Sequence, residues 1–238
     1  MRTTAEHIWV YLSASPLLWL TLTLAAYLLA DRINVWLWRS PLVNPVAIAV
    51  AILVALLLFT RTDYQTYFDG AQFVHFLLGP AVVALAVPLR ENFATVRRSL
   101  LPMLVALFAG SLTAVVSVVA VAWALGADPA TIKSLMPKSV TAPIAMGISQ
   151  EIGGVPSLTA VLVILTGIIG AMFGGPLIDV LGIKLPAARG FSLGTAAHGI
   201  GTARAFQENP IAGTFAGIAM GLNGFLTAIL VPLLLTLI

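Results

Sequence analysis

Charged residues divide the sequence into long apolar runs joined by short polar links. Asp, Glu, Lys and Arg are all absent from five long runs, residues 8–30, 40–60, 99–127, 152–178 and 209–238. A helix that crosses a bilayer needs about 20 predominantly apolar residues, and a helix is the main structure open to such a run in lipid. Barrel strands would be about 10 residues long with alternating polarity, and the sequence lacks that pattern. The runs predict an all-α integral membrane protein.

Three further uncharged runs contain glycine or proline, and the last two of them are also short and rich in small polar residues. They cover residues 70–89, 139–150 and 190–203. Interruptions of this kind are typical of broken or re-entrant helices, whose backbone groups must find partners within the protein. Taken with the long runs, they predict about six to eight transmembrane or re-entrant helices. Six full spans with two re-entrant segments and eight shorter crossings both fit.

The order of long and short runs repeats roughly after 111 positions. The shift brings residues 40–60 onto 152–178, 70–89 onto 190–203 and 99–127 onto 209–238. We interpret residues 1–238 as a single membrane domain of two structural repeats, 1–127 and 128–238, which meet about a pseudo-twofold axis. Inverted repeats of this kind are common in secondary transporters. The alternative is the ordinary alternation of spans and loops in any multi-pass protein.

Composition agrees with a membrane location and excludes several classes of function. The chain is 60% hydrophobic and 9% charged, whereas soluble domains are typically about 25% charged. There is no cysteine, and the net charge of +3 is not gathered into the basic face that a nucleic-acid partner requires. Phosphate-loop and hydrolase motifs are absent, and the three histidines do not have a metal-binding spacing. We therefore predict neither an enzyme nor a cofactor or metal site.

The first candidate site lies in the segment PKSVTAPIAMGISQEIGGVPS, which begins at Pro137. Pro143 follows Ser139 and Thr141, which are good helix caps, so a helix begins here. Gly153 and Gly154 end that helix after about two turns, too few to cross a bilayer. Free amide groups at the start of such a helix favour an anion.

Two polar residues lie between apolar stretches. Glu151 follows the short run beside Gln150, and an ionisable group at membrane depth is costly unless it has a function. Asn223 lies within the last long run, where helix packing and substrate contact explain it equally well. In the first half, Gly79 and Pro80 interrupt an apolar run and predict a weaker counterpart of the second-half breaks.

The second candidate site lies in the segment ARGFSLGTAAHGIGTARAFQENP, which begins at Ala188. Thr195, His198 and Thr202 follow the three-to-four spacing that places residues on one helix face. Gly199 and Gly201 keep the backbone flexible, although glycine is also tolerated in membrane helices for packing alone. Lys138, Arg189 and Arg204 can extend to lipid headgroups, and we prefer that role for Arg189.

The sequence resembles the LrgB/CidB family of bacterial membrane proteins. The matching segments are PKSVTAPIAMGIS, QEIGGVPSLTAVLVILTGIIGAMFG, ARGFSLGTAAHGIGTARAF and AGIAMGLNGFLTAIL. The resemblance is strongest over residues 137–238 and looser over 70–125. Gly147 departs from the family pattern, which has a larger and often acidic residue there in many members.

The resemblance implies two functions. Bacterial members are antiholin-like proteins of the cell inner membrane, which act with a small LrgA/CidA-type partner to control murein hydrolase activity and lysis. A plastid relative is a glycolate/glycerate translocator, and bacterial members are linked to small acids such as pyruvate. The broken segments favour a transporter of small monocarboxylates, proton-coupled and working by alternating access. The antiholin-like regulator is the alternative, and base rates for oligomers predict a homodimer.

The carrier hypothesis assigns a role to each candidate residue. One side of the carboxylate would be bound by Ser139, Thr141 and the amides after Pro143, and the other by Thr195, His198 and Thr202. Arg204 would balance the charge, Asn223 is a further candidate contact, and Glu151 or His198 would carry the proton because histidine titrates near neutral pH. Closure of the carrier around its substrate would depend on the helix breaks at Gly79, Pro80, Gly153, Gly154, Gly199 and Gly201.

Overall fold

The computed structural model describes residues 15–236 of the chain. The start of the first predicted span, at residues 8–14, lies outside the described residues. Contacts divide the chain into two compact units at Ala84 and Leu85. That boundary differs from the division at residue 127 between the two predicted repeats, and the repeats stay a prediction. No strand occurs in the described part of the chain, and the predicted all-α membrane fold is confirmed.

The first unit contains four helices in its described part. They are α1 (Pro16–Trp36), α2 (Pro45–Thr60), α3 (Tyr64–Phe76) and α4 (Leu78–Ala84). Helix α1 packs against α2 and α3, and Trp19 is fully buried with its ring edge-on to Tyr67 at 5.8 Å between centroids. Gly70 allows the close approach of α3 to α1, since a Cβ at Gly70 would lie 2.6 Å from the Pro16 carbonyl oxygen.

The predicted break at Gly79 and Pro80 lies close to an observed interruption. Helix α3 ends at Phe76, and both residues belong to the short helix α4. The helical structure is interrupted at Leu77, immediately before α4. An added Cβ at Gly79 would meet nothing within 4 Å, so the glycine is not needed for a close contact.

The second unit contains the remaining helices. They are α5 (Ala86–Glu91), α6 (Phe93–Arg98), α7 (Leu100–Ala124), α8 (Pro129–Leu135), α9 (Ala142–Glu151), α10 (Pro156–Val180), α11 (Pro186–Glu208) and α12 (Pro210–Leu235). Helix α11 packs along α12 over most of its length, α10 packs on α11, and α7 contacts both α11 and α12. These contacts place α11, and with it the second candidate site, among the three long helices α7, α10 and α12.

The α11–α12 contact is close because the facing residues are small. A Cβ at Gly190 would lie 1.9 Å from the Ala212 carbonyl oxygen, and one at Gly194 would lie 2.1 Å from that of Ala216. The two helices therefore touch backbone to backbone, as small residues four apart permit in membranes.

Five stretches of the described chain are long and apolar enough to cross a bilayer. They are α1, the stretch Tyr64–Glu91, α7, α10 and α12, and the apolar helix α2 is shorter. Helix α9 has only 10 residues, which is too short to span. The structure thus has the predicted combination of long spans and short or interrupted helices.

Candidate functional site

Helix α11 is broken at Ala197 and His198. Ala197 has φ −125° and ψ 16°, and His198 has φ 42° and ψ −131°. A positive φ on a residue other than glycine costs on the order of 1–3 kcal/mol and persists only when its surroundings hold it. The sequence predicts a break around Gly199 and Gly201, and the break lies at the two residues just before Gly199.

Helix α10 supplies the space and a hydrogen bond that hold this break. Nε2 of His198 lies 2.9 Å from the carbonyl oxygen of Val163. A Cβ at Gly167 would come within 2.7 Å of the His198 ring, and one at Gly170 within 2.5 Å of the Ala197 Cβ. Only glycine at these two positions of α10 lets the interrupted segment approach.

Asn223 connects four parts of the second unit. Its Nδ2 donates to the carbonyl oxygens of Ser139 at 3.1 Å and Thr195 at 3.0 Å. Its Oδ1 accepts from the hydroxyls of Ser111 at 2.5 Å and Thr227 at 3.4 Å. These bonds use both donors and both lone pairs of the amide. Of the two explanations that the sequence left open, this arrangement favours a packing role. We call this group the Asn223 cluster.

The two threonines beside the break bond to their own helix. The hydroxyl of Thr195 donates to the Phe191 carbonyl at 2.9 Å, and that of Thr202 donates to the His198 carbonyl at 2.8 Å. Both residues are buried, as is His198. The structure therefore brings Thr195, His198 and Thr202 together at the break, but the threonine hydroxyl protons are already engaged.

Arg204 belongs to a group of ion pairs near the end of α11. Its Nε lies 3.2 Å from Oε1 of Glu208, and Arg189 reaches Oε2 of the same carboxylate at 3.3 Å. Arg189 also pairs with Asp179, and this hydrogen bond raises the pKa of the Arg189 guanidinium above its ordinary value. Arg189 thus has carboxylate partners within the chain, and the lipid headgroup as a further partner stays a prediction.

The short helix α9 begins and ends where the sequence predicts. Thr141 is the N-cap residue, although its side chain makes no capping hydrogen bond, and Pro143 is exposed. Glu151 is the last helical residue, and its side chain is exposed. It has no hydrogen bond or ion pair to the part of the chain that the structure describes. Its role in proton coupling stays a prediction.

The two glycines after α9 serve different needs. Gly153 has φ 77°, a conformation that glycine adopts readily. Gly154 packs against two buried serines, since a Cβ there would lie 2.5 Å from the Ser149 hydroxyl and 3.0 Å from the Ser134 amide. The Thr159 hydroxyl of α10 lies 2.7 Å from that of Ser149. This turn is a packed junction of α8, α9 and α10.

A groove runs between α7 and α11 beside the Asn223 cluster. It has a volume of about 260 Å³. Its polar lining consists of Lys138, Ser139, Ser192 and Thr195, and the rest is Ala106, Gly110, Ala114, Phe191 and Ala196. We call it the Lys138 groove.

Lys138 is the residue that sequence reasoning undervalued. It lies half-buried in the connection between α8 and α9, with Nζ 3.2 Å from the Ser139 hydroxyl. Burial lowers the pKa of its ammonium group below the ordinary value. The signal in the sequence is a lysine directly before the small polar run 139–150. Among His, Cys, Asp and Glu of the described residues, no group is arranged to hold a metal ion.

A family model described as the LrgB-like family matches residues 23–237. The chain belongs to this family. The LrgB match covers every candidate site residue, and the resemblance found in the sequence is confirmed. Protein YwbG of Bacillus subtilis is 37% identical over 219 residues, which are 91% of this chain and 96% of that protein.

Other LrgB-family relatives have names that refer to holins. The holin-like protein CidB of Staphylococcus epidermidis is 32% identical over 227 residues, 95% of this chain and 98% of that protein. The antiholin-like protein LrgB of Bacillus mycoides is 31% identical over 197 residues, 83% of this chain and 86% of that protein. No solved structure matches the chain.

Proposed function

We propose that this chain is an antiholin-like or holin-like protein of the bacterial inner membrane, which controls lysis together with a small LrgA/CidA-type membrane protein. The observation that carries the proposal is the 32% identity to a holin-like protein over 95% of the chain. A match of that extent includes both units rather than one shared segment. The long apolar helices suit a multi-pass protein, as this function requires.

Deletion of the gene in its host tests this function. We expect the rate of lysis under energy depletion to change, measured as release of a cytoplasmic enzyme into the medium. The chain, produced again from a plasmid together with its small partner, should restore the original rate. An unchanged rate in the deletion strain would contradict the proposal.

A second function, transport of small monocarboxylates, is favoured by a different observation. The second unit contains a helix broken at a histidine and, beside it, a groove with a half-buried lysine and several hydroxyls. Broken helices at the centre of a membrane domain are the usual binding elements of secondary transporters. Lysis control would then follow indirectly from the movement of metabolites and protons.

Uptake into liposomes tests the carrier function. Purified protein should take up radiolabelled glycolate, glycerate or pyruvate saturably, and faster with an imposed pH gradient. Glu151→Gln should reduce the response to the gradient without affecting folding, since Glu151 is exposed. His198→Ala should weaken substrate binding. If folded protein with its partner present shows no uptake, transport is contradicted and lysis control remains as the one proposed function.

The remaining features of the carrier hypothesis belong to the same proposal. We infer a homodimer in the lipid bilayer, inverted repeats that alternate access, and no enzymatic activity, cofactor or nucleic-acid partner. Cross-linking in membranes, followed by electrophoresis, measures the oligomeric state, and a chain that stays monomeric would contradict the dimer.

A further inference from the structure

The Lys138 ammonium group is a half-buried cation with no acidic partner among the described residues. No carboxylate lies within ion-pair distance of it in the part of the chain that the structure describes, and its hydrogen bond goes to the neutral hydroxyl of Ser139. Charges withdrawn from water are normally paired or hydrogen-bonded to an opposite charge. The position of Lys138 therefore leaves room for an anion from outside the chain.

The other basic residues of the second candidate site already have partners within the chain. Arg204 and Arg189 share the carboxylate of Glu208, and Arg189 also binds Asp179. The His198 ring is engaged with the Val163 carbonyl. Glu208 therefore competes with a substrate for the charge of Arg204, whereas no carboxylate of the described residues competes for the charge of Lys138.

The groove around Lys138 suits a small anion in both size and chemistry. Its volume of about 260 Å³ is below the roughly 300–1,000 Å³ of pockets for drug-sized ligands. No acidic residue lines it. The Ser139 hydroxyl accepts from Lys138, so its own proton is available to a ligand. Small side chains on α7 leave the space beside this pair open.

We propose that Lys138 is the cation that binds the carboxylate of a small organic acid in the groove between α7 and α11, with the Ser139 hydroxyl as a second donor. This assignment rests on the carrier function proposed above and names the residue that recognises its substrate. The ammonium and the hydroxyl lie 3.2 Å apart, close enough to bind the two oxygens of one carboxylate. Charge-assisted hydrogen bonds of this kind are the strong ones in proteins.

Direct binding of radiolabelled glycolate to the full-length protein in lipid nanodiscs tests the assignment. Lys138→Met removes the charge with little change in length, and we expect the Kd to rise by about tenfold or more. Lys138→Arg keeps the charge and should bind more tightly than Lys138→Met. Lys133→Met is the matched control, since Lys133 lies on α8 beside Gly153, away from the groove, and it should bind as the wild type does. A folded Lys138→Met variant with the wild-type Kd would overturn the proposal.

A second measurement needs no variant and so does not depend on the folding of one. Acetic anhydride acetylates accessible lysines, and mass spectrometry measures the rate of acetylation at each lysine. Saturating glycolate should slow the labelling of Lys138 and leave that of Lys133 unchanged. Equal rates at Lys138 with and without glycolate would overturn the proposal.

The two experiments separate this site from the carrier function. Binding that depends on Lys138, without any uptake into liposomes, would support the site and contradict transport. Uptake that is unaffected by Lys138→Met would support transport and overturn the site. Absence of glycolate, glycerate and pyruvate binding to the wild type would overturn the site as well.

Discussion

The Asn223 cluster and the Lys138 groove adjoin each other and differ in how well their polar groups are satisfied. Both include Ser139 and Thr195, which give their carbonyl oxygens to Asn223 and their side chains to the groove. Asn223 makes four hydrogen bonds. Within the described part of the chain, the Lys138 ammonium makes one hydrogen bond, to a neutral hydroxyl.

This difference separates polar residues that hold the fold from those that remain available to a ligand. A fully satisfied buried network makes the structure rigid and specific. An incompletely satisfied charge in a groove is a candidate for binding. Variants of the cluster should therefore change stability, and variants of the groove should change binding at nearly constant stability.

The largest expected effect comes from Gly194→Ala, which disturbs the helix that supplies the Thr195 carbonyl to the cluster. The added Cβ would lie 2.1 Å from the Ala216 carbonyl oxygen, so α11 and α12 must separate. We expect the free energy of unfolding to fall by about 3 kcal/mol or more, since backbone gives way less than side chains do in an overpacked contact. Thermal unfolding in detergent measures the loss.

Gly221→Ala on α12 is the matched control. A Cβ there would meet nothing within 4 Å, and alanine favours a helix over glycine by about 0.5–1 kcal/mol. We expect unchanged or slightly higher stability. If both variants lost the same stability, the close α11–α12 contact would not be the cause.

Asn223→Ala should have the next largest effect. It removes four hydrogen bonds at once, and such bonds between membrane helices are worth about 0.6 kcal/mol each on average, so we expect a loss of about 2–3 kcal/mol. Asn92→Ala is the control, because the Asn92 side chain makes a single hydrogen bond within the described residues, to the Pro88 carbonyl. An Asn223→Ala variant as stable as that control would show that the cluster does not hold the helices together.

Much of the fold follows from the sequence because lipid imposes simple rules. The uncharged runs at 99–127 and 152–178 form α7 and α10, since the backbone groups of an apolar run in a bilayer must make their hydrogen bonds within a helix. The start of α9 after Thr141 and its end before Gly153 also followed from local chemistry. These predictions needed no knowledge of the partners of each helix.

The details of the site depend on tertiary contacts that local patterns do not contain. Glycines at 199 and 201 indicated a break, but its position at His198 depends on Gly167 and Gly170 of another helix. Arg204 and Lys138 differ already in the sequence, since only Arg204 has an acid four residues further on, but whether an acid approaches Lys138 depends on the fold. Their difference depends on Glu208, which lies one helical turn beyond Arg204, and on the absence of an acid near Lys138 in the described residues.

Gly110→Val tests the groove side of the comparison. A Cβ at Gly110 would lie 3.3 Å from the Thr195 Cγ2, so the larger side chain should narrow the Lys138 groove. We expect the Kd for glycolate to rise by about tenfold. The Thr195 methyl group must give way by a few tenths of an ångström, so we expect a smaller loss of stability than in Gly194→Ala. Gly147→Val, where a Cβ meets nothing within 4 Å, should leave binding intact. Wild-type binding in Gly110→Val would place the ligand elsewhere.

The smallest expected effect is at Asp128, an exposed charge outside both the cluster and the groove. Its carboxylate caps α8, accepting from the Thr131 hydroxyl and from the amides of Ala130 and Thr131. The hydrogen bond from the Thr131 side chain is the main reason that the pKa of Asp128 lies below its ordinary value of 3.8.

A depressed pKa in the folded state means that the carboxylate stabilises the fold above pH 3.8 and that this stabilisation is lost as the pH falls through the lower, folded value. Asp128→Asn keeps a capping side chain without the charge. We therefore expect the variant to unfold at a slightly lower temperature than the wild type near pH 7, and the difference to shrink as the pH falls below 3.8. Glycolate binding in the Lys138 groove should be the same in both proteins at pH 7. If the difference in unfolding temperature stays constant down to acid pH, the charge of Asp128 contributes nothing to stability.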